Sequence, residues 1–135
     1  MNEPVRDYAP DSPEKASVLN RYSELYRQTK EVPLKINGED IFTNELGSTH
    51  PPHDHQHPLG TYHKASSTEV KQAIAAALEA RERCSTMDWS ARAGIFLKAA
   101  ALVAGPYRDT INASTMLAQS KTIHQAEIDA ACEFA

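Results

Sequence analysis

A chain of 135 residues, 41% hydrophobic and 24% charged, is about one domain long and apolar enough to bury a core, which excludes wholesale disorder. Its 14 basic and 18 acidic side chains leave a net charge of −4 with no basic cluster, which argues against nucleic acid or an anionic membrane surface as the main partner. No apolar run approaches the roughly 20 residues a membrane span needs, and the opening "MNEPVRDYAPDSPE" carries no visible secretory or transit signal.

Residues 1–11 read as an extended lead. Ser12, Pro13 and Glu14 make a helix start: a hydroxyl cap, a proline at the first helical position, then an acid near the positive end of the dipole. Ala16, Leu19, Tyr22 and Tyr26 follow at helical spacing, and the helix is expected to end near Lys30, before Pro33. In "PLKINGEDIFT" two short apolar-alternating arms flank Asn37-Gly38. That is the strongest hairpin signal in the chain, because both turn residues tolerate positive φ. From Asn44 to Pro58 there is no periodicity, with three prolines and four histidines, so this stretch is expected to be a loop. A further short strand is expected in "LGTYHKA".

At Ser66 the pattern changes. Ser66 and Glu69 fit a capping box, and Val70, Ile74, Ala77, Leu78 and Arg81 then share one helical face in an alanine-rich background. Asp88 or Ser90 caps the next helix, whose Ile95, Phe96, Ala99, Leu102 and Val103 form the cleanest apolar stripe of the chain. Gly105-Pro106 ends it. Tyr107, Ile111 and Thr115 lead a third helix to about Ala118. Thr122, with Gln125 three residues on, starts a fourth. That run is still helical at Phe134-Ala135, as expected of a piece of a longer chain. The organisation expected is an extension and helix over 1–33, a hairpin with a His/Pro-rich loop over 34–65, and a helical part over 66–135.

Candidate chemistry is sparse. His50, His53, His55 and His57, with His63 and Asp54 nearby, have donors suited to zinc or copper. Against that, Pro51, Pro52 and Pro58 fix extended backbone on which alternate side chains diverge, and no second Cys or His cluster closes a tetrahedral set, so no metal is assigned. Cys84 and Cys132 are too far apart for a CxxC site; two reduced, partly buried thiols are expected, neither beside a base in sequence. No GxGxxG or GxxxxGK[ST] occurs, so no phosphate cradle is present. His124 and Glu127 are neighbours on one helical face. Residue physics alone favours an exposed Glu127 paired with His124 over a glutamate aimed into a cleft.

"IFLKAA" (95–100), "GPYR" (105–108) and "QSKTIHQAEIDAA" (119–131) resemble the helical segments that precede the nucleotide fold in the aldehyde dehydrogenase superfamily, within it the 1-pyrroline-5-carboxylate (L-glutamate γ-semialdehyde) dehydrogenase branch. "NEPV" (2–5), "SPE" (12–14), "PLKINGEDIFT" and "AIAAALEAR" fall in the same order, and "PPHDHQHPLGTYHKAS" resembles the family's Pro-Phe-Asn-His loop and following strand. The resemblance covers essentially the whole chain. It implies a mostly α fold with a small β-hairpin region, the N-terminal part of an α/β aldehyde dehydrogenase before its Rossmann-like core.

By the same resemblance the complete enzyme oxidises the semialdehyde to glutamate with NAD in proline breakdown, works as a homo-oligomer and resides in the mitochondrial matrix of eukaryotes. The thiolate nucleophile, glutamate base and cofactor-binding residues would all lie in later segments, so the chain alone would be inactive. One functional residue carries over: Glu127, in "QAEIDAA", matches a glutamate that lines the substrate pocket. Ser120 stands where the family usually has glycine, which implies a differently shaped break. Cys84 stands where tryptophan is common, with Trp89 close enough to fill that volume. Without the parallel sheet, Ile95, Phe96, Leu102 and Val103 would be left partly uncovered. The alternative is a stand-alone helical module whose same faces bind a protein partner.

Overall fold

The computed structural model describes residues 3–132; the helical run expected at Phe134-Ala135 lies outside them. Helix α1 spans Pro13–Tyr26, with the Ser12 side chain accepting from the Lys15 amide. Its buried residue is Val18, while Leu19 is exposed, so the helix is turned by one position from the Ala16–Leu19 stripe. The helix also stops a full turn before Lys30, and strand β1, Lys30–Val32, takes up the residues that follow. The physical reason is local: the chain ahead of Pro33 is biased to extended backbone, and β1 finds a parallel partner in β5, Gly60–His63.

The hairpin forms where Asn37-Gly38 places it. Strands β2, Leu34–Ile36, and β3, Glu39–Ile41, pair antiparallel with Leu34 opposite Ile41. Asn37 and Gly38 both adopt positive φ, 54° and 82°, as the tight turn between right-twisted strands requires. The expected loop from Asn44 to Pro58 is corrected in part: β4, Leu46–Thr49, pairs antiparallel with β5. A strand with one large apolar residue shows no alternation in sequence. Its placement depends on a tertiary fit, since a Cβ on Gly47 would lie 2.3 Å from the Tyr62 ring. The resulting sheet has the order β1-β5-β4. Gly60 lets β1 approach, because a Cβ there would meet the Lys30 carbonyl oxygen at 2.0 Å.

Helix α2, Ser67–Thr86, carries the Ser66–Glu69 capping box, and α3, Trp89–Ala104, starts on Asp88, which accepts from the Ser90 amide. Helix α4, Arg108–Gln119, ends at Ser120 in the left-handed conformation, φ 55° and ψ 33°. This is the backbone a helix-terminating glycine adopts without strain, so Ser120 leaves the break in an ordinary left-handed form. Helix α5, Ile123–Ala126, has the Thr122–Gln125 capping box and widens at once into a π-helical turn, Glu127–Cys132.

Helix α4 is the hub. It packs against α1, α3, α5 and the π turn, and its buried face is Arg108, Asn112, Ala113, Met116 and Leu117. That face is offset from the expected Tyr107–Ile111–Thr115 line, and Tyr107 is exposed. The apolar core is small: Tyr8, Val18, Met116 and Ala126, flanked by Tyr22 and Ile123. Neither α2 nor α3 contributes a buried residue. Val70, Ile74 and Leu78 of α2 and Ile95, Phe96, Leu97 and Leu102 of α3 stay exposed, Phe96 at 76%. Trp89, at 73% exposed, and exposed Cys84 fill no interior volume among the described residues.

An uncovered apolar face of this size drives association. The 135-residue chain is expected to run larger than a monomer in size-exclusion chromatography with light scattering. The pair Phe96→Glu and Leu97→Glu should restore monomer with an unchanged far-UV helical signal. A monomeric parent chain would contradict this.

Candidate functional site

Two positions four apart on α4, Arg108 and Asn112, lie on the same helical face as Met116 and turn polar groups inward. Both are buried, as is Glu127 at the head of the π turn, which is 0% exposed. The sixth to eighth residues close the site from the N-terminal lead. The Arg6 backbone N–H donates to Glu127 Oε1 at 2.9 Å, and Tyr8 Oη donates to Oε2 at 2.8 Å. Asn112 Nδ2 donates to Oε2 at 2.7 Å and to Tyr8 Oη at 3.0 Å. Arg108 grips the carboxylate with both Nε, 3.3 Å from Oε2, and Nη2, which donates to Oε1. The same guanidinium reaches Glu3 Oε1 at 2.5 Å and the Pro4 carbonyl at 2.8 Å.

A two-pronged guanidinium on a buried carboxylate is among the stronger charged hydrogen-bond arrangements. It has to be, because an ion removed from water and left short of partners is expensive. Arg108 also opens α4, where the dipole disfavours a cation; Glu127 and Glu3 compensate it. Burial alone would raise the Glu127 pKa, but the hydrogen bonds from Arg108, Arg6, Tyr8 and Asn112 outweigh it and hold the carboxyl down at about 2. Burial, with Glu127 beside it, pushes the Tyr8 hydroxyl up to about 12, and Arg108 is held more firmly protonated by Glu127. At neutral pH the site is therefore a fixed anion clasped by a fixed cation. With so little affinity for a proton, Glu127 is unsuited to be a general base.

The backbone bends to build this site. Tyr8 sits at φ 51°, a left-handed conformation costly for a bulky residue, and its ring enters the apolar core while its hydroxyl meets Glu127. The π turn is likewise a departure from regular helix that is frequent at functional positions. Asn112 Oδ1 is buried with no hydrogen-bond partner among the described residues.

The pairing of an exposed Glu127 with His124 is overturned: Glu127 is fully buried on other partners, and His124 is exposed. Sequence reasoning did not single out Tyr8, Arg108 and Asn112 as site residues. The available signal was two polar residues at i and i+4 in register with Met116. Cys132 lies 3.6 Å from both Glu127 Oε1 and Arg108 Nη2; its thiol is pushed up by burial and by Glu127, the reverse of an activated nucleophile. Cys84 is exposed on α2, not partly buried as expected.

The histidines are shared out among separate partners. His53 Nδ1 is 2.7 Å from Ser120 Oγ, and its Nε2 is 3.3 Å from Tyr22 Oη. His57 stacks on Tyr26, ring centroids 3.8 Å apart, while Tyr26 Oη donates to Asp54 at 2.8 Å and helps hold that carboxyl below its usual range. His63 lies between the Thr43 backbone and Glu31. Among the described residues no group of three or more His, Cys, Asp or Glu side chains is arranged to hold a metal ion. A dinucleotide needs open amides at a glycine-rich turn. Here one N-terminal amide of each of α1, α2, α3 and α5 is engaged, by Ser12, Ser66, Asp88 and Thr122 respectively.

Residues 43–134 match the model of the aldehyde dehydrogenase family, and the chain belongs to that family. Its similarity reaches further into one branch. Delta-1-pyrroline-5-carboxylate dehydrogenase of Agaricus bisporus is 47% identical over 99% of the chain and 25% of its own length. The mitochondrial enzyme of that name from Bos taurus is 37% identical over 98% of the chain and 23% of its own length. The crystal structure of the Mycobacterium tuberculosis enzyme superposes with a TM-score of 0.95 at 40% identity, over 98% of this chain and 25% of that one; it has also been solved bound with NAD. The chain thus spans about a quarter of the length of the relatives it matches. None of these matches favours a stand-alone interaction module.

Two outcomes test the site. Arg108→Met leaves an uncompensated buried carboxylate and should destabilise the fold by about 3–5 kcal/mol, whereas adding Glu127→Leu should recover much of the loss; denaturant unfolding of the three variants measures both. In pH, the Glu127 pKa is depressed from 4.5 to about 2. Its contribution is therefore present above 4.5 and lost as pH falls through 2. The Tyr8 pKa is raised from 10.0 to about 12, so its contribution is lost as pH rises over that interval. Melting temperature against pH should fall on both limbs, and Glu127→Gln should make the acid limb shallower.

Proposed function

We propose that this chain is the N-terminal portion of an NAD-dependent L-glutamate γ-semialdehyde (1-pyrroline-5-carboxylate) dehydrogenase, which oxidises the semialdehyde to glutamate in proline degradation. The observation that carries this is the chain-long match to that branch, in sequence with the Agaricus bisporus enzyme and in structure with the Mycobacterium tuberculosis enzyme. The mitochondrial names of the mammalian relatives support a mitochondrial matrix location, and the exposed faces of α2 and α3 support a larger assembly, a homo-oligomer when complete.

Within that reading, Glu127 belongs to the wall of the substrate pocket; enclosed by its own partners, it acts through its fixed negative charge. Its depressed pKa supports a binding role over proton transfer. The chain by itself is inactive in this reading, since the family's nucleophile, base and cofactor residues fall in later segments, and the Cys132 thiol is raised by burial and not activated.

The test is made on the complete protein encoded with this segment. It should reduce NAD in the presence of the semialdehyde, while the 135-residue chain should not. Glu127→Gln in the complete protein should lower kcat/KM about tenfold, the worth of one charged hydrogen bond. Turnover of other aldehydes with none of this substrate would refute the assignment.

A further inference from the structure

Glu127 is held from a distant part of the chain. Besides the α4 residues Arg108 and Asn112, its partners are the Arg6 N–H and the Tyr8 hydroxyl, on a segment with no regular secondary structure of its own. The proposal rests on the reading of Glu127 as a charged residue of the substrate-pocket wall. We infer that the N-terminal lead, residues 3–8, is a positioning strap for the substrate site, in which Tyr8 and Asn112 together fix the direction of the Glu127 carboxylate.

The geometry is that of a built clamp. Oε2 accepts from Tyr8 at 2.8 Å and Asn112 at 2.7 Å, and Asn112 also donates to Tyr8 Oη. The three groups form a closed triangle of hydrogen bonds. Arg108 ties the strap itself down through Glu3 and the Pro4 carbonyl. The Tyr8 backbone is held at φ 51°, a conformation that persists only where the surroundings over-determine it.

A carboxylate whose charge helps place a small substrate gains from such fixation, because orientation settled before binding need not be settled during it. Loosening it should therefore weaken substrate binding in addition to the stability it costs. The charged and titratable groups facing Glu127 are Arg108 on α4, Tyr8 and, through Arg108, Glu3 on the lead, and Cys132 on its own turn. Removing the Tyr8 donor leaves the cation in place, so the carboxyl stays charged near neutrality while its acid limb moves upward.

The experiment uses the complete enzyme with Tyr8→Phe, Asn112→Ala, Glu127→Gln and, as a control outside the clamp, Tyr22→Phe. For Tyr8→Phe the KM for the semialdehyde should rise about tenfold with kcat within about twofold, as expected for one hydrogen bond to a charged group. The acid limb of kcat/KM should shift to higher pH. Asn112→Ala should act in the same direction, and Tyr22→Phe should leave both readouts unchanged. If Glu127→Gln is impaired while Tyr8→Phe and Asn112→Ala both keep wild-type KM and pH profile, the strap fails and the substrate reading stands. If Glu127→Gln itself is unimpaired, both are overturned. A fall in melting temperature with unchanged KM and pH profile would assign Tyr8 to packing and overturn the proposal.

Discussion

A charge that has left water must be answered on every side, and the burial of Glu127 imposes that constraint on the rest of the chain. Its two oxygens accept from an arginine, a tyrosine, an asparagine and a backbone amide, which come from two separate stretches of sequence, the N-terminal lead and α4. Those stretches are thereby forced into one geometry. The lead must pass over the site, α4 must begin at Arg108, and α5 must widen into a π turn that brings Glu127 under both. Buried ion pairs seldom add net stability over apolar groups of the same shape. What this one adds is a single permitted arrangement, since any other leaves a bare ion.

The apolar part of the fold is correspondingly modest. Val18, Met116, Ala126 and the Tyr8 ring make a core of few side chains, all of it at the junction of α1, α4 and α5. Helix α3 has the stronger apolar composition, yet neither it nor α2 buries a residue. The two observations are linked. A helix forms from local propensity and capping, but it becomes part of a core only when another element covers its face. The chain spans about a quarter of its relatives' length, and the faces of α2 and α3 are the natural seats for elements of that larger fold.

What could be read in the sequence follows the same division. The caps at Ser12, Ser66 and Thr122, the break after α3 and the Asn37-Gly38 turn are decided within a few residues, and each forms where it was read. Strands β1 and β4 were not legible because their pairing is set by distant partners, through the Tyr62 ring over Gly47 and the close approach at Gly60. Helical period found the face of α1 to within one position and that of α4 likewise, but one position decided which residue was buried: Val18, not Leu19, and Arg108 with Asn112, not Tyr107 with Ile111. For Glu127 the local neighbour His124 was the visible partner, and the true ones lie 15, 19, 119 and 121 residues away. Resemblance reached Glu127 where periodicity did not, though it says nothing of what holds the side chain.

Two residues of left-handed backbone, Tyr8 and Ser120, mark opposite ends of the same logic. Ser120 sits at an exposed helix end, where αL geometry is the usual way to stop; the His53 contact merely occupies its hydroxyl, and glycine would serve as well. Tyr8 sits in the interior, where the strain has no such local excuse. Glycine there would relax the backbone but remove both a core ring and a donor to Glu127. The strain at Tyr8 is thus offset by two interactions that no unstrained residue supplies together: apolar contact with Val18 and Met116, and a hydroxyl on a buried anion. A lead without helix or strand is held in place by that double anchorage. Its order is a consequence of the charge it encloses.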